Sequence, residues 1–136
     1  MIAKALWSLP ALFIAAACAV DVMPGPDEGE MLFAQNCSGC HTATATGMRL
    51  NDGTVAPDLT RISERNDGVF PRAHVLSQID GYGRGKAASV MPEFGDLLEG
   101  ELVPVEVDGT MTPTPRPLAA LMTYLESIQV GTGTEG

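Results

Sequence analysis

The sequence predicts an all-α domain with one small β-hairpin inserted before its last helix. Leu118, Leu121, Met122, Leu125 and Ile128 recur at the spacing of a helix with one buried face. Shorter stripes of the same period occupy residues 27–36 and 71–80. One place breaks the helical period: Asp108-Gly109 stands between the β-formers Leu102, Val103, Val105 and Val107 and the segment Thr110, Met111, Thr112. Asp-Gly between such residues is a strong short-range hairpin signal. The 136 residues suffice for one domain.

Residues 1–17 read as a secretory signal. Lys4 supplies the positive start, and Leu6 to Ala17 is apolar apart from Ser8. That stretch falls short of the about 20 apolar residues that a spanning helix needs, which counts against an uncleaved anchor. Trp7, the one tryptophan, lies inside the signal and leaves with it. Cys18 follows Ala15-Ala16-Ala17 and resembles the lipidated cysteine of a bacterial lipobox, with Ala15 where leucine is usual. Ala17-Cys18-Ala19 equally satisfies the A-x-A rule for simple cleavage before Val20. Residues 18–26, with prolines, a glycine and acids, are expected to be a tether. The domain is expected to span residues 27–129, with a flexible tail at 130–136.

Helix one is expected from Asp27 to Asn36. Asp27 and Glu28 place negative charge at its positive end. Gly29, Leu32, Phe33 and Asn36 share a face. A polar loop of small residues follows from Thr42 to Thr54. The middle helix is expected from Pro71 to Asp80, with Val75, Leu76 and Ile79 as its stripe and Gly81 as its stop. The hairpin is expected over Glu101 to Thr112. Thr114 is the expected N-cap of the last helix, with Pro115 at its first position, where the missing N–H costs nothing. Gly131 and Gly133 end that helix.

Cys37-Ser38-Gly39-Cys40-His41 carries the chemistry. Cys-x-x-Cys-His is the attachment sequence for a c-type haem: each thiol adds to one vinyl group, and the histidine lies under the iron as proximal ligand. A zinc site needs about four ligands, and beyond the motif only Cys18 and His74 remain to supply them. A thioredoxin-like thiol pair needs a βαβ setting, which is absent here. One such motif implies one covalent haem c. Aromatic residues make up 5% of the chain, thin for a core unless a buried haem supplies flat apolar area. The balance of 17 acidic against 8 basic residues, net −9, excludes a nucleic-acid partner, whose phosphates require a basic face.

Four methionines and one histidine are candidates for the sixth ligand: Met48, Met91, Met111, Met122 and His74. Pro92 makes the backbone at Met91 extended, so that side chain projects from a loop. Met48 stands close behind His41, Met122 falls on the packed stripe of the last helix, and His74 reads as a surface residue. Gly81-Tyr82-Gly83-Arg84-Gly85-Lys86 lacks the spacing of a nucleotide-binding loop.

With these motifs in this order, residues 27–129 resemble a bacterial class I cytochrome c. The resemblance implies the cytochrome c fold wrapped around one haem, with Gly29 and Phe33 letting the first helix cross the last. Met91-Pro92-Glu93-Phe94-Gly95 is similar to the family's Met-Pro-x-Phe-Gly segment and makes Met91 the iron's sixth ligand opposite His41. Ala56-Pro57-Asp58-Leu59 is similar to its Gly-Pro-x-Leu segment. Pro57 then offers its carbonyl to His41, and Leu59 packs on the haem. Tyr82 and Arg84 become candidates to meet a haem propionate. The implied function is one-electron transfer in the periplasm between a donor and an acceptor protein. That reading has no catalytic residue and makes the protein no enzyme, with membrane attachment only through a lipidated Cys18. The alternatives are a haem-bearing subunit of a larger dehydrogenase or oxidase complex, and a haem enzyme with an open sixth site. A further alternative makes the hairpin the partner-binding surface.

Overall fold

The computed structural model describes residues 23–82 and 90–131. The signal, Trp7, Cys18, Gly133 and Arg84 lie outside the described residues. The elements are α1 (Pro26–Asn36), the one-turn α2 (Ser38–His41), β1 (Met48–Arg49), β2 (Val55–Ala56), α3 (Arg72–Asp80), β3 (Leu102–Val107), β4 (Thr110–Pro115) and α4 (Arg116–Ser127), with short 3₁₀ turns between β2 and α3 and before β3.

The fold is organised by the crossing of α1 over α4. At Gly29 a Cβ would lie 2.6 Å from Cβ of Tyr124 and from the Ala120 carbonyl carbon. No side chain fits there, so the backbones approach closely. One turn later Phe33 stacks obliquely on Tyr124, with ring centroids 5.3 Å apart. Arg116 at the start of α4 pairs with Glu28 of α1 at 3.0 Å. α3 packs on the same side of α4 and contributes Val75 and Ile79 to a core with Phe33, Leu121 and Leu125.

A second, smaller core lies between the hairpin and the other side of α4: Val103 and Val105 of β3 against Ala119 and Met122. Phe70 and Leu76 touch both cores. Arg72 ties three elements, donating from Nε and Nη2 to Glu126 of α4 and from Nη1 to Glu106 of β3.

The expectation of an all-α domain with one hairpin is corrected in two places. A second small antiparallel ladder joins the loop 42–54 to the residues just after it, Met48 opposite Ala56 and Arg49 opposite Val55. Two-residue strands carry no usable period-2 signal, so nothing in the sequence announced them. The β3–β4 hairpin is longer than expected, with Val103 opposite Thr114 and Leu102 opposite Pro115. Thr114 is therefore a buried strand residue whose hydroxyl donates to the Thr112 carbonyl, and not a helix cap. Helix α4 starts at Arg116, with Pro117 in its first turn. Pairing with a hydrophobic strand that is itself buried outweighed the local capping preference. Within the expected tether, Pro24 is buried and Pro26 begins α1.

Candidate functional site

The first candidate ligand is placed by a single helical turn. α1 ends at Asn36, and the Cys37 carbonyl accepts the amides of Cys40 and His41 at 3.1 and 3.0 Å. That turn sets Cys37, Cys40 and His41 around one wall of a cavity of about 510 Å³. The cysteines are unpaired. Burial pushes the Cys37 thiol up to about 11, and the neighbouring Cys40 adds to the effect.

His41 is 7% exposed. Its Nδ1 lies 3.1 Å from the Pro57 carbonyl oxygen. A carbonyl only accepts, so Nδ1 carries the proton and Nε2 keeps its lone pair for a metal. The approach of Pro57 depends on Gly47, which has φ 75° and whose amide donates to the His41 carbonyl at 3.0 Å. A Cβ on Gly47 would lie 2.7 Å from the Pro57 carbonyl oxygen. The left-handed backbone and the missing side chain are both needed there. Leu59 also lines the cavity, held by its amide on the Ala45 carbonyl at 2.8 Å.

Met91 lines the same cavity and packs against the main core. The Gln78 side-chain amide donates to its sulfur at 3.7 Å. Of the other candidates, Met48 and Met111 are largely exposed, Met122 is buried in the second core, and none of the three lines the cavity. His74 is exposed, yet it does line the cavity. Tyr82 is not brought to the site: it is 82% exposed and borders a separate hollow between α3 and the hairpin. Gly81 caps α3 with φ 94°, and Tyr82 follows it on the surface.

Sequence reasoning missed Gln78, Arg65, Asn66 and Gly47. Gln78 shares a helical face with Val75 and Ile79, and that spacing was the available signal. Arg65 and Asn66 line the cavity from a 3₁₀ turn, which has no periodicity to read.

The residues fit an iron porphyrin. The volume lies within the about 300–1,000 Å³ of small-molecule sites, and the lining is apolar, with Phe33, Ile62, Val75, Ile79, Leu121 and Leu125. A porphyrin supplies four nitrogen donors itself, so the protein need add only two axial ligands, and His41 and Met91 are of the types found in such centres.

A small helical domain with a Cys-x-x-Cys-His turn at an apolar cavity defines a class of haem proteins. The chain matches the cytochrome c family over residues 26–129 and belongs to it. Membership implies covalently bound haem c and a role in electron transfer with redox partners. The chain is 35% identical over 101 residues to the thiosulfate dehydrogenase of Psychrobacter arcticus, an alignment that covers 71% of this chain and 28% of that protein. It thus spans less than a third of that relative's length. No solved structure matches significantly. The expectation that the protein is no enzyme is corrected by this relative, which is a dehydrogenase.

Proposed function

We propose that the chain is the electron-carrying haem domain of a periplasmic dehydrogenase, one that draws electrons from a small reduced-sulfur anion of the thiosulfate type. The observation that carries it is the convergence of Cys37, Cys40, His41 and Met91 on one apolar cavity. The substrate class comes from the dehydrogenase relative.

In this reading Cys37 and Cys40 would anchor one haem by thioether bonds, and His41 through Nε2 and Met91 through its sulfur would hold the iron. The haem supplies a one-electron couple. The Pro57 carbonyl holds the His41 ring and makes Nε2 a stronger donor. The soft thioether of Met91 favours the reduced metal. Phe33, Leu121 and Leu125 exclude water, so little solvent reorganises when an electron passes. No side chain needs to move a proton. The apolar segment at 1–17, read as an export signal, supports a location outside the cytoplasm, and Cys18 is the point at which a lipid would hold the domain to a membrane.

The test is spectral. The full-length protein, matured in a bacterial periplasm, is expected to give one haem c per chain and a ferric spectrum with the weak near-infrared band of thioether ligation. Thiosulfate is expected to reduce it. A high-spin ferric spectrum would sink the carrier role. A haem that dithionite reduces and thiosulfate does not, with or without its partner proteins, would remove the substrate assignment alone.

A further inference from the structure

The segment that carries Met91 is fastened to the end of α3. The Phe94 amide donates to the Ile79 carbonyl at 2.9 Å. The Gln78 amide donates to the Met91 sulfur at 3.7 Å. Beside these bonds Gly95 lies directly against Asp80: a Cβ there would stand 2.8 Å from the Asp80 carboxylate and 2.9 Å from its backbone carbonyl oxygen. Gly81 makes a matching approach, with a Cβ there 2.6 Å from Cβ of Glu93. Residues 78–81 and 91–95 thus lie against one another with no side chain between them at two points.

The two sides of this contact are unequal. α3 is held by Val75 and Ile79, which are 5% and 6% exposed in the main core, and by the Arg72 pairs to Glu126 and Glu106. Residues 91–94 form a loop that runs into a 3₁₀ turn at Gly95–Leu98, and Pro92 and Glu93 are exposed. A methyl group at Gly95 would meet a helix backbone that cannot yield, so the loop gives way and carries Met91 with it. Gly95 does not have a left-handed backbone, so glycine is required there for space and not for conformation.

We propose that Gly95 and Gln78 are positioning residues that make the last turn of α3 a latch for Met91, so that their contacts set how firmly the sixth coordination position is closed. The inference rests on the reading of Met91 as the iron ligand. A closed latch leaves the iron as a carrier; a lifted one opens it to soft or nitrogen donors.

The experiment compares haem-loaded, full-length wild type with Met91→Ala, Gly95→Ala, Gln78→Leu and Gly25→Ala. It reads the ferric spectrum, the melting temperature and the rate at which imidazole binds the ferric iron. Gly95→Ala and Gln78→Leu are expected to bind imidazole roughly tenfold faster than wild type, from overpacking or a lost tether, and to weaken the thioether band. Gly25→Ala, where a Cβ meets nothing within 4 Å, is expected to match wild type. A Met91→Ala spectrum identical to wild type would mean that Met91 is not the ligand, whatever the latch does. A changed Met91→Ala spectrum with wild-type imidazole rates in both Gly95→Ala and Gln78→Leu overturns the latch. If Gly95→Ala fails to take up haem, Gln78→Leu decides, because leucine nearly fills the volume of the amide and leaves the Gly95 contact intact.

Discussion

His41 is oriented by residues that carry no chemistry of their own. Its Nδ1 proton is held by the Pro57 carbonyl, and that carbonyl is where it is because Gly47 has no Cβ to displace it. Gly47→Ala is expected to weaken the Nδ1 bond, make Nε2 a poorer donor to ferric iron and so raise the haem potential, checked by redox titration. Gly53→Ala is the control, since it shares the left-handed strain, with φ 89° and open space around it; it is expected to lower stability slightly and leave the potential alone. The two cysteines should differ before haem attachment. In the haem-free chain the exposed Cys40 is expected to alkylate faster than Cys37, whose half-buried thiol is held neutral at pH 7; timed iodoacetamide labelling with peptide mass mapping reads this. Asp58 precedes Leu59 at the cavity and accepts from both the hydroxyl and the amide of Thr60. Those bonds, with Arg61 and Arg65 nearby, hold its carboxyl below the usual range. A carboxyl depressed in the folded state contributes stability above its unfolded pKa and loses it as pH falls through the folded value. Acid unfolding of wild type should therefore lose more stability below about pH 4 than Asp58→Asn does.

Helices α1 and α4 hold the cavity through one close crossing. Gly29→Val would force backbone against backbone at Ala120 and Tyr124. It is expected to cost about 2–3 kcal/mol and to lower the melting temperature by roughly 10 °C or more, as calorimetry of the haem-loaded protein would show. The Arg72 pairs, by contrast, are a third exposed, so Arg72→Met is expected to cost only about 1 kcal/mol or less. The hairpin is attached mainly by Val103 and Val105 packing on Ala119 and Met122, which is why Met122 belongs to that core and not to the iron site. α3 serves three contacts at once: Val75 and Ile79 to the main core, Gln78 to Met91, and Leu76 to both cores. The sequence stripe Val75, Leu76, Ile79 assumed one buried face. A helix walled by a cofactor cavity on one side and a hairpin on the other has two.

Charge acts on the protein as a whole. A net charge of −9 repels a doubly charged anion, and salt screens that repulsion over about 8–10 Å. The rate of reduction by thiosulfate is therefore expected to rise with ionic strength in stopped-flow measurements. A fall would place the encounter at a local cationic group, for which Arg65 lines the cavity. The family match covers nearly the whole described domain, whereas the dehydrogenase relative extends far beyond it.

Much of the candidate site was legible because its residues are adjacent in the chain or carry their own geometry. Cys37, Cys40 and His41 lie within one helical turn, Pro92 extends the backbone at Met91, and Asp108-Gly109 makes its turn locally. Gly29 and Phe33 were readable as one helix face. What the sequence could not show was contact between segments far apart in the chain: Gly47 against Pro57, Gln78 against Met91, Gly95 against Asp80, and Thr114 drawn into a strand by Val103. Local propensity had Thr114 as a cap, and the family resemblance made Tyr82 a candidate to meet a haem propionate. Burial of β3 on α4 decided the first, and the left-handed cap at Gly81 led into the second on the surface. Residue type and spacing alone determined the chemistry available to this protein. Only the packing of distant backbones, where one missing Cβ sets an approach, decided how the residues of that chemistry are held.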